Sequence, residues 1–198
     1  TIKWTLVVIL LLIFLASIFF IQIKKQHSEY QKNELEIWTS MKEGIAYIYK
    51  TKEILGALCL DMFAVLFGGA VAMIPVFASD ILKSGAEGFG ILNAASDIGS
   101  MIIIVTLSFI PLRKNQGKIL IGVVAGFGLC IIGFGLSKLY WLSFLFLMLS
   151  GMFDGISVVI RGTIVQLKTP DNIRGRVMSV NSIFIMSSNE MGQFESGV

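Results

Sequence analysis

Charged residues inside long apolar runs constrain this chain more than any other feature. The stretch over residues 139–176 opens with a run long enough to cross a bilayer, since about 20 helical residues cover a hydrocarbon core about 30 Å thick. Asp154 and Arg161 sit in or at the edge of this run, seven residues apart, and therefore on one helical face. A charge near the bilayer middle costs about 3 kcal/mol, so both side chains are expected to face protein or water.

The composition supports a membrane protein over a soluble one. Of the 198 residues 55% are hydrophobic and only 15% are charged, whereas a soluble domain carries nearer a quarter of charged residues. The net charge of +3 is small and dispersed, without a basic patch interleaved with aromatics, which argues against a nucleic-acid partner. Cys59 and Cys130 lie in apolar runs and are interpreted as reduced packing residues.

The apolar runs predict an all-α, polytopic helical membrane protein. Residues 1–23 form a first transmembrane helix, and residues 24–53 form a cytoplasmic loop with an amphipathic helix. Because the sequence begins without methionine and stops within an apolar helix, we expect a fragment of a longer chain. The remaining bundle, 54–198, holds five spans, at about 54–77, 89–112, 119–136, 139–160 and 177–198, with the fourth of these continuing to Leu167.

The loop helix has an apolar stripe. Trp38, Met41, Ile45, Ile48 and Tyr49 recur at helical spacing, with lysines and glutamates on the other face. This pattern favours a helix lying along the membrane surface. A linker helix that packs on the protein itself is the alternative.

The distribution of lysine and arginine predicts the orientation. The loops after the first, third and fifth spans are basic, whereas the loops after the second and fourth spans hold one lysine each, Lys83 and Lys138. Basic loops stay in the cytoplasm, so the amino end is expected outside.

Enzyme motifs are largely excluded. The sequence has no HExxH, no GxSxG and no P-loop, and its one histidine, His27, lies in the polar loop. No cofactor or metal site is predicted. An intramembrane aspartyl protease would require Asp61 and Asp154 to face each other. The FDG sequence around Asp154 lacks the glycine pattern of such enzymes.

The ionisable residues within spans are the candidates for function. Buried carboxylates can carry protons near neutral pH unless an opposite charge holds them. Two interpretations stay open for Asp154 and Arg161: proton coupling or substrate recognition, and an interhelical ion pair, either between the two or between Arg161 and a carboxylate of the last span. A gate or an ion pair is predicted for Asp61, a water-filled vestibule for Asp97, and a cavity contact for no more than one of Glu190 and Glu195.

The loop Arg174-Gly175-Arg176-Val177 is the most specific local motif. Two arginines at the start of a helix can pair with helix C-termini and with acidic residues of neighbouring spans. They would then act as a cytoplasmic gate. Ordinary anchoring by positive charge is the alternative.

Three strings carry a resemblance to a known family: LDMFAVLFGGAVAMIPVFASDIL, GISVVIRGTIVQLKTPDNIRGRVMSVNSIFI and SNEMGQFESG. Together they resemble the enterobactin-exporter-like branch of the major facilitator superfamily, a group of bacterial inner-membrane efflux permeases. The resemblance implies a partial superfamily fold, the sixth to eleventh helices of a twelve-helix carrier, with the other helices of the polypeptide missing. It also implies that Asp61, Asp154, Arg161, Glu190 and Glu195 lie on the substrate or proton pathway. The loop 113–118 departs from the superfamily's best-known gate motif.

The sequence therefore predicts a secondary active transporter that exports a small amphiphilic molecule, a siderophore or a drug, by alternating access. Its partners would be that substrate, protons and the bilayer. A non-transporting membrane scaffold is the rival, which predicts no cavity and charges consumed in mutual pairs.

Overall fold

The described part of the chain is helical throughout. The computed structural model describes residues 2–21, 37–67, 70–110, 112 and 115–197, and these ranges contain only helices and their connections. The predicted all-α class is confirmed for these ranges. The residues divide into two units, Thr1–Leu35 and Glu36–Val198. The first unit contains one described helix, α1 (Ile2–Ile21).

The described residues of the second unit form seven α-helices. Three of them, among the described residues, are long and apolar enough to cross a membrane by length and composition: α5, α6 and α7. The last helix, α8, is long but carries many polar side chains. The bounds are α2 Ile37–Lys50, α3 Lys52–Phe67, α4 Ala70–Val76, α5 Gly85–Phe109, α6 Gln116–Leu136, α7 Tyr140–Lys168 and α8 Arg174–Gly197.

The described part of the region predicted as one span over 54–77 ends irregularly. Helix α3 covers its first part, α4 follows, and a π-helical turn, Phe77–Ile81, continues beyond it. Pro75 lies inside α4 and has no backbone N–H to donate, so the regular hydrogen-bond ladder is interrupted just before the π turn.

Helices α5 and α7 pack backbone against backbone. A Cβ on Gly99 would overlap the carbonyl oxygen of Met148, and a Cβ on Gly151 would overlap that of Ser96. The hydroxyl of Ser100 donates to the Gly151 carbonyl over 2.9 Å. These positions require glycine because any side chain would separate the two helices.

Helix α6 packs on α7 through aromatic rings. A Cβ on Gly126 would lie 2.8 Å from the ring of Phe153. A Cβ on Gly133 would lie 2.6 Å from the ring of Phe146, whereas Gly122 has open space beside it. Of the Gly122–Gly126 pair in the sequence, only Gly126 therefore serves a helix contact.

Helix α2 packs on the end of the bundle where α3 and α8 begin and α7 ends, here called the basic end. Ile48 of α2 is 1% exposed and joins a cluster with Ile54, Val165 and Val177. One face of α2 therefore packs on the protein itself, as the alternative interpretation of this helix predicted. Trp38 and the other exposed apolar residues of α2 lie elsewhere on the helix.

Candidate functional site

A buried ion pair lies in the interior of the bundle. The carboxylate of Asp61 on α3 contacts the guanidinium of Arg161 on α7, and each side chain is only 7% exposed. Both partners lie within otherwise apolar helices, where an isolated charge is costly, so each compensates the other. Asp61 therefore belongs to an ion pair, one of the two roles predicted for it.

The partner of Arg161 corrects the sequence interpretation, which offered Asp154 or a carboxylate of the last span. Seven helical residues advance about 10 Å along the axis, so Asp154 and Arg161 share a face without direct contact. The packing of α3 on α7 instead brings Asp61 to the guanidinium.

A small, mostly apolar cavity adjoins the pair between α3, α6 and α7. Asp61, Asp154 and Ser157 line it together with Phe127 and Phe153. Its volume of about 10 Å³ is close to what one water molecule requires. The Ser157 hydroxyl is buried and has no hydrogen-bond partner among the described residues, so a water here would satisfy it.

Asp154 differs from Asp61 in its surroundings. It is partly exposed and forms no ion pair with any described residue. It lies on α7 three residues before Ser157, on the same face of the helix. The arrangement therefore sets one carboxylate in an ion pair beside another that forms no ion pair with a described residue.

A larger open groove lies beside α8, near the C-terminal end of α3. Its volume is about 580 Å³. Both Glu190 and Glu195 line this groove, whereas the sequence interpretation allowed only one of them to face a cavity. The five-residue spacing suggested separate faces, but the groove is wide enough to reach both. Its other lining residues are Leu66, Met191 and Phe194.

The two arginines of the 174–177 motif have different partners. Arg174 pairs with Asp171 over 2.5 Å and donates to the Thr169 carbonyl just beyond α7. Arg176 pairs with Glu43 of α2. The predicted contact with a helix C-terminus is present, but the acidic partner of Arg176 comes from the loop helix. Gly175 has open space beside it.

Lys168 ties the same end together. Its ammonium binds the Glu53 carboxylate over 3.0 Å, and its backbone carbonyl accepts a hydrogen bond from the Tyr47 hydroxyl over 2.5 Å. The pKa of Glu53 is lowered, first by the hydrogen bond to its own backbone amide at the start of α3 and then by Lys168.

Comparison with known proteins identifies the family. The model of a family described as transmembrane secretion effector matches residues 2–198, nearly the whole chain. The chain belongs to this transmembrane secretion effector family. It is therefore a permease of the major facilitator type and a multi-pass membrane protein. No curated protein and no solved structure gives a significant match.

The sequence interpretation missed several residues of the polar clusters. Ser157 was detectable, because it lies between Asp154 and Arg161 on their shared face. Glu43, Tyr47 and Glu53 carried no such signal, since their partners lie more than 100 positions away.

Other predicted residues lie apart from the pair. Asp97 is exposed and does not line the cavity beside Asp61. Cys59 and Cys130 are both free thiols. His27 lies outside the described residues. Within the described ranges, no group of three or more histidine, cysteine, aspartate or glutamate residues is placed to hold a metal ion.

Proposed function

We propose that this protein is a secondary active exporter, which moves a small amphiphilic molecule out of the cell by alternating access in exchange for protons. The substrate class is a siderophore or a drug. The observation that carries the proposal is the free carboxylate of Asp154 beside a buried ion pair and a cavity large enough for one water.

The pair and the cavity support proton coupling in the following way. Arg161 is held by Asp61, so its charge is already compensated, and no cation among the described residues pairs with Asp154. A carboxyl group in such a place changes its protonation state when water reaches it. Opening the cavity to one side of the membrane or the other would then load or release the proton.

The groove beside α8 supports an amphiphilic substrate. It is mostly apolar, with Leu66, Met191 and Phe194 beside the carboxylates of Glu190 and Glu195. Apolar walls bind a hydrophobic body, and a few convergent polar groups orient it. A volume of about 580 Å³ lies within the usual range for small-molecule sites.

The setting of the transporter is part of the same proposal. The basic loops would face the cytoplasm of a bacterium, with the protein in its inner membrane. Further helices of the same polypeptide would complete the substrate cavity. The resemblance to the enterobactin-exporter-like branch supports both assignments. At the basic end, Arg174 and Arg176 would serve as a cytoplasmic gate because their contacts join α2, α7 and α8.

Two rival functions receive less support. A scaffold in which all buried charges pair would leave no free carboxylate, whereas Asp154 has no ion-pair partner among the described residues. An aspartyl protease needs two carboxylates that share a proton. Asp61 and Asp154 do line one cavity, but Asp61 is paired with Arg161, and the family is one of transporters.

Transport by the full-length polypeptide in proteoliposomes tests the proposal. A labelled siderophore and a panel of dyes are offered, with the proton gradient present or collapsed by an ionophore. We expect gradient-dependent export, lost in Asp154→Asn and retained in Glu87→Gln, a matched change at an exposed helix end.

Two results would contradict it. Export that is unchanged by collapse of the gradient would exclude proton coupling. Gradient-driven export that survives both Asp154→Asn and Glu190→Gln would move the proton site to other residues.

A further inference from the structure

Helix α2 carries three distinct faces. One faces water and consists of polar or small residues, and another faces the bundle. The third is apolar and exposed. Thr39, Ala46 and Lys50 lie on the water face, and Gly44, Tyr47 and Ile48 lie on the bundle face. The exposed apolar face consists of Trp38, Ile45 and Tyr49.

The bundle-facing side is closely packed. A Cβ on Gly44 would lie 3.0 Å from the carbonyl oxygen of Arg176 and 3.1 Å from the side chain of Val180, so α2 approaches α8 closely. The Tyr47 hydroxyl reaches the carbonyl of Lys168 at the end of α7. Helix α2 therefore crosses the basic end and cannot detach without breaking these contacts.

The apolar exposed side has no such partner surface in the described structure. Trp38 is 71% exposed, Tyr49 is 63% exposed and Ile45 is 36% exposed. All three lie on one stripe because they are separated by seven and four residues. An indole and a phenol beside an aliphatic residue are the side chains typical of a membrane–water interface.

The connection to α3 positions this stripe relative to the bilayer. Only Thr51 separates the end of α2 from the start of α3, which continues as an apolar segment of the bundle. One residue spans less than about 4 Å. The end of α2 that carries Tyr49 therefore lies beside the start of α3, which opens the span that the sequence predicts over 54–77.

The charges beside the stripe are basic. Lys42 lies four residues from Trp38 and three from Ile45, and Lys50 and Lys52 follow at the end of α2. None of these three lysines forms an ion pair with a described residue, whereas Glu43 is held by Arg176. Unpaired lysines at a membrane surface attract anionic headgroups.

We propose that Trp38, Ile45 and Tyr49 form a lipid-docking face, which seats α2 in the headgroup region of a bilayer that contains anionic phospholipid. The lysines neutralise the headgroups while the apolar stripe enters the boundary with the acyl chains. This docking is independent of the exporter function, since it depends only on α2 and its contacts at the basic end.

Fluorescence of Trp38 in lipid nanodiscs tests the docking face. Trp4 and Trp141, the other two tryptophans of the sequence, are replaced by phenylalanine. The nanodiscs contain anionic and zwitterionic phospholipids brominated near the headgroup end or near the methyl end of the acyl chains. We expect the headgroup-end bromines to quench Trp38 strongly, the methyl-end bromines to quench it weakly, and aqueous acrylamide to have little effect.

The matched control moves the reporter by one residue. In Trp38→Phe combined with Thr39→Trp, the indole lies on the water face, and we expect quenching by acrylamide without quenching by brominated lipid. Trp38 that no brominated lipid quenches would overturn the proposal. Acrylamide would then show whether water or another protein surface covers the stripe.

The electrostatic part has its own outcome. In nanodiscs of zwitterionic lipid alone, quenching of Trp38 by the headgroup-end bromines should be weaker. Equal quenching in both kinds of nanodisc would overturn the role given to Lys42, Lys50 and Lys52.

Discussion

The ion pair of Asp61 and Arg161 dominates the electrostatics of the bundle interior. Neither side chain is more than 7% exposed. Removing both partners of such a pair can be nearly neutral, but removing one leaves a buried charge without compensation. The pair therefore holds α3 against α7, because separating the two helices would leave each buried charge without its partner.

A double-mutant cycle tests this coupling. Arg161→Met should lower the free energy of unfolding by about 3–5 kcal/mol, because Asp61 is left buried and alone. The double variant Asp61→Asn with Arg161→Met should recover most of that loss. Chemical unfolding in detergent measures the free energy of unfolding of each variant. A loss in the double variant that equals the sum of the losses in Asp61→Asn and Arg161→Met would contradict the coupling.

Glu53 gives the basic end a dependence on pH. Its pKa is lowered by its backbone amide and by Lys168, so the folded state binds the proton less tightly than the unfolded chain does. Its contribution to stability is present above the unfolded pKa of about 4.3 and is lost as the pH falls through the folded value. Thermal unfolding of wild type and Glu53→Gln should converge at acidic pH and differ at neutral pH.

The matched control for this effect is Glu87→Gln. Glu87 also lies in the first turn of a helix and is exposed, but no described residue forms an ion pair with it. Its substitution should change stability less at neutral pH than Glu53→Gln does. An equal change in both variants would assign the effect to the helix terminus and not to Lys168.

The sequence identified the charged positions better than their partners. Asp61, Asp154 and Arg161 are conspicuous because they interrupt apolar runs. Which of them meet depends on how α3 packs on α7, a contact across 100 residues of sequence that no local pattern encodes. Periodicity therefore predicted the face of each residue and left the pairing open.

Among the helices, the contact of α5 with α7 is the closest in the bundle. Gly99 and Gly151 each lie against a carbonyl group of the opposite helix. Small residues permit this approach in a membrane, where dispersion and hydrogen bonding hold helices together. The hydrogen bond of Ser100 to the Gly151 carbonyl adds a polar contact at the same place.

Two glycines on α7 provide a matched pair of substitutions. Gly151→Ala should lower the free energy of unfolding by about 1–3 kcal/mol, because its Cβ overlaps the Ser96 carbonyl. Gly162→Ala, where nothing lies nearby, should leave stability unchanged or raise it by up to about 1 kcal/mol. Thermal unfolding in detergent compares them, and similar effects at both positions would contradict the close contact.

Helix existence was easier to predict than helix continuity. The apolar runs indicate α5, α6 and α7, whose length and composition suffice to cross a membrane. The interruption at Pro75 and the π turn after it were not predicted, because an apolar run reads the same whether the helix is regular or broken. Pro75 was the available signal.

At the scale of the whole molecule, the basic end joins elements that are distant in sequence. Helix α2 contacts α8 through Glu43 and Arg176, and α7 through Tyr47 and Lys168. The sequence predicted the amphipathic character of α2 but could not show which side of it meets the bundle. That choice depends on Gly44, whose lack of a side chain admits α8.

Hydrogen exchange measures how firmly α2 is held. Arg176→Ala removes the partner of Glu43, so the amides of α2 should exchange faster. Arg174→Ala is the control, because its partners Asp171 and Thr169 lie in the adjacent turn. Equal exchange of α2 in wild type and Arg176→Ala would show that Tyr47 and Ile48 suffice to hold the helix.

The backbone contact between α5 and α7 also limits how the protein can change shape. Two helices that touch through side chains can slide because the side chains change rotamer. Where a backbone carbonyl group lies against a glycine Cα, no side chain is present that could adjust. Gly99 and Gly151 therefore oppose sliding of α5 against α7. A change of shape is therefore expected away from this contact, and the regular helix is already interrupted at Pro75 and the π turn that follows α4.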